Sequence, residues 1–338
     1  MAPLRSTRSI LTAVLGTALF LAASEIVVRQ WLLSPTVTVP DARYNWVYPP
    51  NVRVVQSTEG WCATRTNSMG LLDDELRVPR APVRALLLGD SYSAALQVAR
   101  RDNFQSVAEQ SMPGLEVINV SAGGGSPRQY ADWLEEFGPR LAPDIVIVQL
   151  NDGDLADLLT TTDSAGRAAA EPSTGVLARL HSVVRGRSAL VAATMHRVQL
   201  LAAEWRAHPP RPFRRARAAA ARRDPSADPR LPALMDALHR GIAAQTPHPI
   251  YLYIPSVNYF GPRADYDEPR VAAFYHAFAA RNRVTLVDVF EPFRAEFART
   301  GQPLHGFPNS VMGMGHINAT GHRVVGEQLA RAIAEATR

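Results

Sequence analysis

Short apolar runs alternate with amphipathic segments over much of the chain. VRALLLGDS (83–91) is an apolar run that ends in Gly-Asp-Ser, and LEVINV (115–120) and PDIVIVQL (143–150) are two more. Apolar runs of this length that end at turn residues predict buried parallel strands. NFQSVAEQSM and QYADWLEEFGPRL, which lie between them, predict helices. The pattern therefore predicts an α/β fold in which helices cover both faces of a parallel sheet.

The same alternation returns near the carboxyl end. PIYLYIPSVN (249–258) and VTLVDVF (284–290) predict two more strands, with a helix from about 269 to 281 between them. GHINATGHRVVGEQLARAIAEA predicts a loop that runs into a terminal helix. The sequence between about 158 and 247 is rich in Ala, Arg and Leu and has no strand signal, which indicates an inserted helical lid or cap. The sheet domain is expected to extend from 83 to 338 with this insertion.

The N-terminus carries an apolar segment. Arg5 and Arg8 precede the uncharged run ILTAVLGTALFLAA (10–23), and Glu25 interrupts the sequence before it becomes apolar again. A membrane-spanning helix needs about 20 residues, so this segment spans a bilayer only if Glu25 lies at the far interface. We favour an uncleaved signal anchor over a cleaved signal peptide, for which the Ala-Ala-Ser at 22–24 is an acceptable cleavage site.

Both interpretations of the N-terminus predict export. The positive flank stays in the cytoplasm, so the rest of the chain is expected in the periplasm or outside the cell. It is either a single-pass membrane protein or, if the segment is cleaved, a secreted one. The third interpretation is a buried core helix of a cytosolic protein. Residues 34–82 are rich in Pro, Val, Thr and Asn, which is typical of a linker with a few irregular strands.

Composition limits the chemistry of the chain. Its 338 residues are 46% hydrophobic and 20% charged, which is a globular composition. The length allows about two domains, and one large α/β domain with an insertion fits it equally well. One cysteine, Cys62, excludes an internal disulfide and any zinc site with two or more thiolates. All 36 basic residues are arginine and the net charge is +5. Arginine suits phosphate recognition, but codon bias explains the absence of lysine more simply, so no nucleic-acid partner is expected.

The insertion contains an arginine-rich run. Seven arginines and no acidic residue lie between Arg206 and Arg223. We interpret the run as the solvated face of a helix. The alternative is contact with anionic lipid or polysaccharide.

Residues that could carry chemistry follow the predicted strands. Ser91 lies at the strand-to-helix turn after the first strand, Gly123–Gly125 follow the second, Asn151 follows the third, and His316 precedes the terminal helix. Parallel sheets form their sites at the carboxyl ends of the strands. Together these residues would supply a nucleophile, a base and oxyanion donors, as acyl transfer requires. The structural alternative is that Ser91 caps a helix and His316 is a packed core histidine.

Four blocks resemble those of the SGNH, or GDSL, hydrolases, which are named for a serine, a glycine, an asparagine and a histidine. In chain order the blocks are LLLGDSYSAALQV, INVSAGGGS, VIVQLNDGDLAD and GHINATGHRVVGEQL. The resemblance covers about 66–157 and 249–334, and TRTNSMGLLDDEL (64–76) is similar to the segment before the first block in membrane-anchored members. It implies a flavodoxin-like, three-layer α/β fold and an ester hydrolase or acyltransferase that uses no metal or organic cofactor.

The resemblance also implies roles for single residues. Ser91 would be the nucleophile and His316 its general base. The backbone N–H groups of Ser91 and Gly124 and the side-chain amide of Asn151 would bind the oxyanion, with Gly123 as the alternative to Gly124. A second histidine, His322, is expected to have a structural role in the first turn of the terminal helix.

Two features depart from the family pattern. Gln149 stands where a glycine is usual, two residues before Asn151. Gly313 and Met314 stand where the family carries the aspartate that orients the catalytic histidine. In serine proteases the corresponding Asp-to-Asn change lowers kcat by about 10⁴. A backbone carbonyl, or a carboxylate from elsewhere such as Asp288, could receive the ring N–H instead, and some members of the family work as Ser-His dyads.

Three functions follow from these observations. The first is an exported esterase that acts on acylated, most simply O-acetylated, carbohydrate or a related ester. The second is an O-acyltransferase for envelope polysaccharide. The third is a catalytically inactive domain that binds or organises other molecules, for which the missing aspartate is the reason.

Overall fold

The structure is a computed structural model that describes residues 3–34, 37–41, 45–163, 187–207, 224–246, 249–261 and 263–338. Its helices and strands in chain order are α1 (Pro3–Trp31), β1 (Val39–Asp41), β2 (Asn45–Val47), β3 (Arg53–Gln56), β4 (Cys62–Arg65), β5 (Val83–Gly89), α2 (Ser91–Ala94), α3 (Phe104–Ser111), β6 (Leu115–Ser121), α4 (Pro127–Leu141), β7 (Ile145–Leu150), α5 (Asp154–Asp163), α6 (Ala189–Ala207), α7 (Leu231–Ala243), β8 (Pro249–Tyr253), β9 (Val257–Phe260), β10 (Arg263–Tyr266), α8 (Pro269–Asn282), β11 (Thr285–Asp288), α9 (Phe290–Thr300) and α10 (Ala319–Ala336).

Five parallel strands form the central sheet, in the order β11-β8-β7-β5-β6. Within the sheet β5 is first along the chain and lies between the second and the third strand, so that Leu86 pairs with Ile118 on one side and with Val146 on the other. This is the flavodoxin-like order, in which the connection reverses direction between β5 and β7. The predicted α/β fold with a flavodoxin-like parallel sheet is confirmed, and all five predicted strands contribute to it.

Side chains of the strands enter two separate hydrophobic cores. Leu86 of β5 belongs to a core with Tyr130 of α4, and helices α7 and α8 contribute to the same core. The next residue, Leu87, belongs to a second core with Phe104 of α3 and Leu329 of α10. The strand is buried on both faces because its side chains alternate between these two helical layers. This double burial explains why the strands are largely apolar in the sequence.

The predicted strand 249–258 is in fact two strands. β8 ends at Tyr253, β9 begins at Val257, and β9 pairs antiparallel with β10. Pro255 lies between them and has no N–H group for a sheet ladder. The chain therefore leaves the central sheet there and forms a hairpin that the hydrophobic pattern did not predict.

The N-terminal helix α1 has an apolar exposed surface. Residues 8–23 are exposed throughout. The segment Arg8–Trp31 is long and apolar enough to cross a membrane, with a mean hydropathy of 2.0, although a signal sequence would meet the same criteria. Its exposure excludes the interpretation as a buried core helix. After it, β1 pairs with β2 and β3 with β4, as short antiparallel hairpins.

The described part of the insertion is helical, as expected. Between 158 and 247 the described residues form α6, α7 and the end of α5, without a strand. From residue 208 onward the arginine-rich run lies outside the described residues.

His322 of α10 is a core residue. Its side chain is buried, Nδ1 accepts the backbone N–H of Phe104 at 3.3 Å, and the two rings are stacked with centroids 5.7 Å apart. Burial lowers the pKa of His322 from 6.5 to about 3. The role of this histidine is therefore structural and depends on its neutral form.

This burial predicts a pH-dependent contribution to stability. Between the folded-state and unfolded-state pKa values only the unfolded chain binds the proton, so the contribution of His322 is complete above about pH 6.5 and decreases as the pH falls, at about 1.4 kcal/mol per pH unit. His322→Asn keeps an acceptor near Nδ1 and does not titrate. From pH 7 to pH 5 the free energy of unfolding of the wild type should therefore fall by about 2 kcal/mol more than that of the variant. Denaturant unfolding of both proteins at the two pH values measures this, and equal changes would contradict it.

Candidate active site

Ser91 and His316 are in direct hydrogen-bond contact. Ser91 begins α2 directly after β5, and His316 lies in the loop before α10. The Ser91 hydroxyl donates to His316 Nε2 at 2.8 Å. The ring of Tyr92 lies beside the imidazole with 4.9 Å between the centroids, and its hydroxyl donates to the carbonyl of Gly315 at 3.2 Å. The fold therefore brings together two residues that are 225 positions apart.

The other imidazole nitrogen faces a carboxylate. His316 Nδ1–H donates to Glu59 Oε2 at 2.5 Å, and the backbone N–H of His316 donates to Glu59 Oε1 at 2.9 Å. Both oxygens of one carboxylate thus bind the same residue. A proton on Nδ1 leaves Nε2 as an acceptor, which is the tautomer a general base needs. The arrangement has the hydrogen-bond pattern of a Ser-His-acid triad.

Glu59 lies in the turn between β3 and β4, in the N-terminal extension. Two glycines allow its approach. A Cβ on Gly315 would lie 2.3 Å from Glu59 Oε1, and a Cβ on Gly60 would lie 2.1 Å from the carbonyl oxygen of Gln97. Both glycines have positive φ, +83° and +64°. Any other residue at position 315 would be strained at this φ and would force the Glu59 carboxylate to shift.

Asp288 does not orient His316. Its carboxylate accepts the hydroxyl of Tyr266 at 2.5 Å, Nε2–H of His276 at 2.8 Å and the backbone N–H of Phe290 at 2.9 Å. The carboxylate that contacts His316 is that of Glu59. Glu59 was not predicted from the sequence, because the acid was expected close to the histidine or at the end of a strand of the sheet.

Asn151 follows β7 at the same edge of the sheet. Its Nδ2–H donates to Asp90 Oδ2 at 2.7 Å, and its Oδ1 accepts the backbone N–H of Gly153 at 2.6 Å. Asp90 also caps α2 by accepting the N–H of Tyr92 at 3.0 Å. Asp90 therefore connects the turn that presents Ser91 to the amide of Asn151.

A second acid, the buried Asp154, also holds this edge of the sheet. Asp154 accepts the backbone N–H of Asn151 at 2.6 Å and the hydroxyl of Tyr130 at 3.2 Å. Burial raises the pKa of Asp154 well above its usual range, and the nearby charge of Asp90 raises it further. Burial also raises the pKa of Asp90. The two acids hold Asn151 through both its backbone and its side chain.

The glycine loop after β6 lies beside the serine. A Cβ built on Gly123 would be 3.9 Å from Ser91 Cβ, whereas one on Gly124 meets nothing within 4 Å. Gly124 has φ +76°, a conformation that suits glycine. The structure thus gives Gly123 a measured contact with the serine and Gly124 an open position in the same turn.

The serine, the glycines, the asparagine and the histidine come from the four sequence blocks. They follow β5, β6 and β7 or precede α10, and they meet where the order of the sheet reverses. The parallel sheet and the positions of these residues along it match the arrangement that the resemblance to the SGNH hydrolases implies. In this fold Gln149 is a buried support residue, because its Oε1 accepts the N–H of Asp90 at 3.2 Å and the hydroxyl of Ser93 at 3.1 Å. A Cβ on Gly89 would lie 2.7 Å from the same Oε1, so the glycine leaves room for this side chain.

Comparison with known proteins gives structural likenesses. No protein-family model matches the sequence, and the comparison with curated proteins finds no match. A member of the lipolytic protein G-D-S-L family from Veillonella parvula is 12% identical, with a TM-score of 0.41, over 75% of this chain and 98% of that chain. A catalytic mutant of an acetylxylan esterase from Geobacillus stearothermophilus is 12% identical, with a TM-score of 0.40, over 75% and 94% of the two chains. At these identities the likeness concerns the fold alone.

Metal ligands do not gather in the part of the chain that the structure describes. No group of three or more His, Cys, Asp or Glu side chains is arranged there to hold an ion. Cys62 is buried, and burial raises the pKa of its thiol to about 11. Its thiol is therefore a structural group.

Proposed function

We propose that the chain is a serine-dependent carboxylic ester hydrolase that works through an acyl-serine intermediate. One observation carries the proposal, namely the continuous line of hydrogen bonds from Ser91 through His316 to Glu59, at 2.8 and 2.5 Å. A serine hydroxyl is a weak nucleophile unless a base removes its proton as it attacks. The imidazole is held in the tautomer that accepts this proton, and a carboxylate faces the nitrogen on which the positive charge develops.

The reaction would proceed in two halves. Ser91 Oγ attacks the ester carbonyl carbon while His316 Nε2 takes its proton, and Glu59 stabilises the imidazolium that forms. The tetrahedral intermediate then collapses, and His316 returns the proton to the departing alcohol. Water attacks the acyl-serine in the second half, again with His316 as base, and a carboxylic acid leaves while Ser91 is regenerated.

The negative oxygen of the tetrahedral intermediate needs hydrogen-bond donors. We propose the backbone N–H groups of Ser91 and Gly124, with Gly123 as the alternative, and the side-chain amide of Asn151. An amide carries two hydrogens, and one of those on Asn151 is directed to Asp90. The other can point to the oxyanion while Asp90 fixes the orientation of the group.

Asn151→Ala is therefore expected to lower kcat by about 10² to 10³ with little change in KM, since an oxyanion donor acts mainly in the transition state. Steady-state hydrolysis of a 4-nitrophenyl ester measures both constants. The variant also loses the bond to Gly153, so its thermal unfolding is recorded alongside. A folded variant with the kcat of the wild type would exclude Asn151 from the oxyanion site.

We propose an acylated carbohydrate as substrate. A cleft of about 640 Å³ lies next to Asn151, at Asp152 and Gly153. Its wall combines the polar residues Ser256, Asp267, Glu268 and Arg270 with apolar ones such as Pro225, Pro269 and Val271. Carboxylate and hydroxyl groups on such a wall can accept hydrogen bonds from sugar hydroxyls.

The proposal includes the location of the enzyme. Helix α1 would hold the domain on the outer side of the cytoplasmic membrane, because the segment Arg8–Trp31 has the length and hydropathy of a span. Arg5 and Arg8 on its amino-terminal side favour a cytoplasmic start.

Labelling with a fluorophosphonate tests the proposal. An activated serine displaces fluoride from the phosphorus and keeps the phosphonyl group, which peptide mass spectrometry locates. The full chain in detergent should carry a single adduct on Ser91, and His316→Ala should not be labelled. A folded wild-type chain without an adduct would overturn the proposal and leave a binding role.

Product analysis separates hydrolysis from transfer. A hydrolase releases free acid from an acylated sugar at a rate that does not depend on an added sugar acceptor. An acyltransferase would instead hydrolyse slowly and move the acyl group to the acceptor. The hypothesis of an inactive domain rests on the missing aspartate. The contact of the Glu59 carboxylate with His316 Nδ1 speaks against it.

A further inference from the structure

The turn that carries Glu59 is tied to two helices, one on each side of the residue. On the carboxyl side, the indole N–H of Trp61 donates to the backbone carbonyl of Trp31, the last residue of α1, at 2.9 Å. On the amino side, Nε2 of His196 in α6 lies 3.0 Å from the carbonyl oxygen of Thr58, where an N–H must donate. The position of Glu59 therefore depends on α1 and α6.

Glu25 joins these two helices. Its carboxylate, on α1, accepts the backbone N–H groups of Ala189 and Leu190 at 2.9 Å each and the hydroxyl of Ser188 at 2.8 Å. Arg29 pairs with it one turn later, at 2.6 Å. A carboxylate at the start of a helix satisfies unpaired N–H groups and interacts favourably with the helix dipole. The acid that interrupts the apolar segment thus fixes the start of α6.

Asn309 completes the support of the turn. Its Oδ1 accepts the N–H of Gly60 at 2.8 Å, and its Nδ2 donates to the carbonyls of Ser57 at 3.1 Å and Gly60 at 2.7 Å. The backbone carbonyl of Asn309 accepts from Arg197 of α6 at 2.7 Å. Every residue that flanks Glu59 in the turn is thereby bonded to another part of the chain.

We propose that the carboxyl-terminal turns of α1, together with α6, position Glu59 against His316. The geometry of the triad then depends on the N-terminal helix. The inference rests on the proposed function, because it concerns how well His316 activates Ser91. The strands of the β3–β4 hairpin are held by packing, with Val54 of β3 against Leu72 and Ala94, whereas the turn between them is held by the hydrogen bonds described above. A displacement of about 1 Å in a catalytic group can cost about 10²-fold in rate.

Two variants of the full chain in detergent test this inference. Glu25→Gln weakens the bonds to α6, and Trp61→Phe removes only the donor to α1. Each is expected to lower kcat and the rate of fluorophosphonate labelling roughly tenfold, with KM unchanged, because the carboxylate acts on the transition state rather than on substrate binding. Gly16→Ala is the matched control in α1 and should behave as the wild type, since a Cβ at Gly16 meets nothing within 4 Å.

A double-mutant cycle separates positioning from general destabilisation. In a chain that already carries Glu59→Gln, neither Glu25→Gln nor Trp61→Phe should reduce kcat further, because the group that they position is gone. An equal loss in both backgrounds, or no loss from either variant in the wild-type background, would overturn the inference while leaving the proposed function intact. Absence of Ser91 labelling in the wild type would instead refute the proposed function and with it the inference. Should Glu25→Gln fail to fold, Trp61→Phe decides alone.

Discussion

Replacing Ser91 by alanine is expected to reduce hydrolysis of a simple ester, such as 4-nitrophenyl acetate, by about 10⁶ in kcat. Without the hydroxyl there is no atom to accept the acyl group, and only the oxyanion donors and the binding cleft still contribute. His316→Ala should cause a loss of similar size, since Ser91 donates directly to His316 Nε2. Steady-state kinetics of the purified chains in detergent measure both losses.

The double variant gives the sharper result. Groups that act as one unit are strongly non-additive, so Ser91→Ala with His316→Ala should be no slower than either single variant. Ser111→Ala is a suitable control, because this serine is exposed on α3 and its hydroxyl donates within the helix, to the carbonyl of Val107. Substantial turnover by Ser91→Ala would show that the hydrolysis occurs elsewhere.

The central sheet could be predicted from the sequence because its signals are local. The strands β5 to β8 are buried on both faces, so a largely apolar run marks each of them. The runs of β5, β6 and β7 are followed by the small polar residues of the candidate site. Ser91, Asn151 and His316 could be found for the same reason. Their positions next to strand and helix ends are visible within a few residues of sequence.

Glu59 could not be found in this way, because its role depends on a contact across 257 positions. It lies in a Pro- and Val-rich segment without periodicity, between two strands of four residues each. The local signal is Gly315, directly before the histidine. A glycine has no Cβ, and a Cβ at this position would lie 2.3 Å from Glu59 Oε1. A sequence shows such a glycine without showing which side chain it admits.

The extra hairpin β9–β10 illustrates a different limit. Pro255 is visible in the sequence, but the hydrophobic pattern on both sides of it is the same. A continuous strand and a strand followed by a hairpin therefore look alike until the antiparallel pairing of Asn258 with Asp265 is seen. The pairing between strands distinguishes these two arrangements, whereas the burial pattern along one strand does not.

Glu59→Gln is expected to lower kcat by about 10² to 10⁴ and to leave KM nearly unchanged. In serine proteases the equivalent exchange of the triad acid for its amide costs about 10⁴ because it favours the wrong imidazole tautomer. The same reasoning applies here, because a Gln amide can donate to His316 Nδ1, which then acts as an acceptor and leaves the proton on Nε2. Ser91 would lose its base although every side chain remains in place.

Three comparisons make this result specific to the carboxylate. Glu59→Ala removes the carboxylate without introducing an amide donor, so its kcat should be no lower than that of Glu59→Gln. The ratio of the two kcat values measures the cost of the wrong imidazole tautomer. Glu75→Gln, an exposed acid of the same N-terminal extension that bonds to Ser68, should keep the kcat of the wild type. Fluorophosphonate labelling of Ser91 should slow in parallel with kcat in the two Glu59 variants. A folded Glu59→Gln chain with wild-type kcat and labelling would mean that Ser91 and His316 work as a dyad, with the hydrogen bonds to Glu59 serving only to hold the β3–β4 turn against the sheet domain.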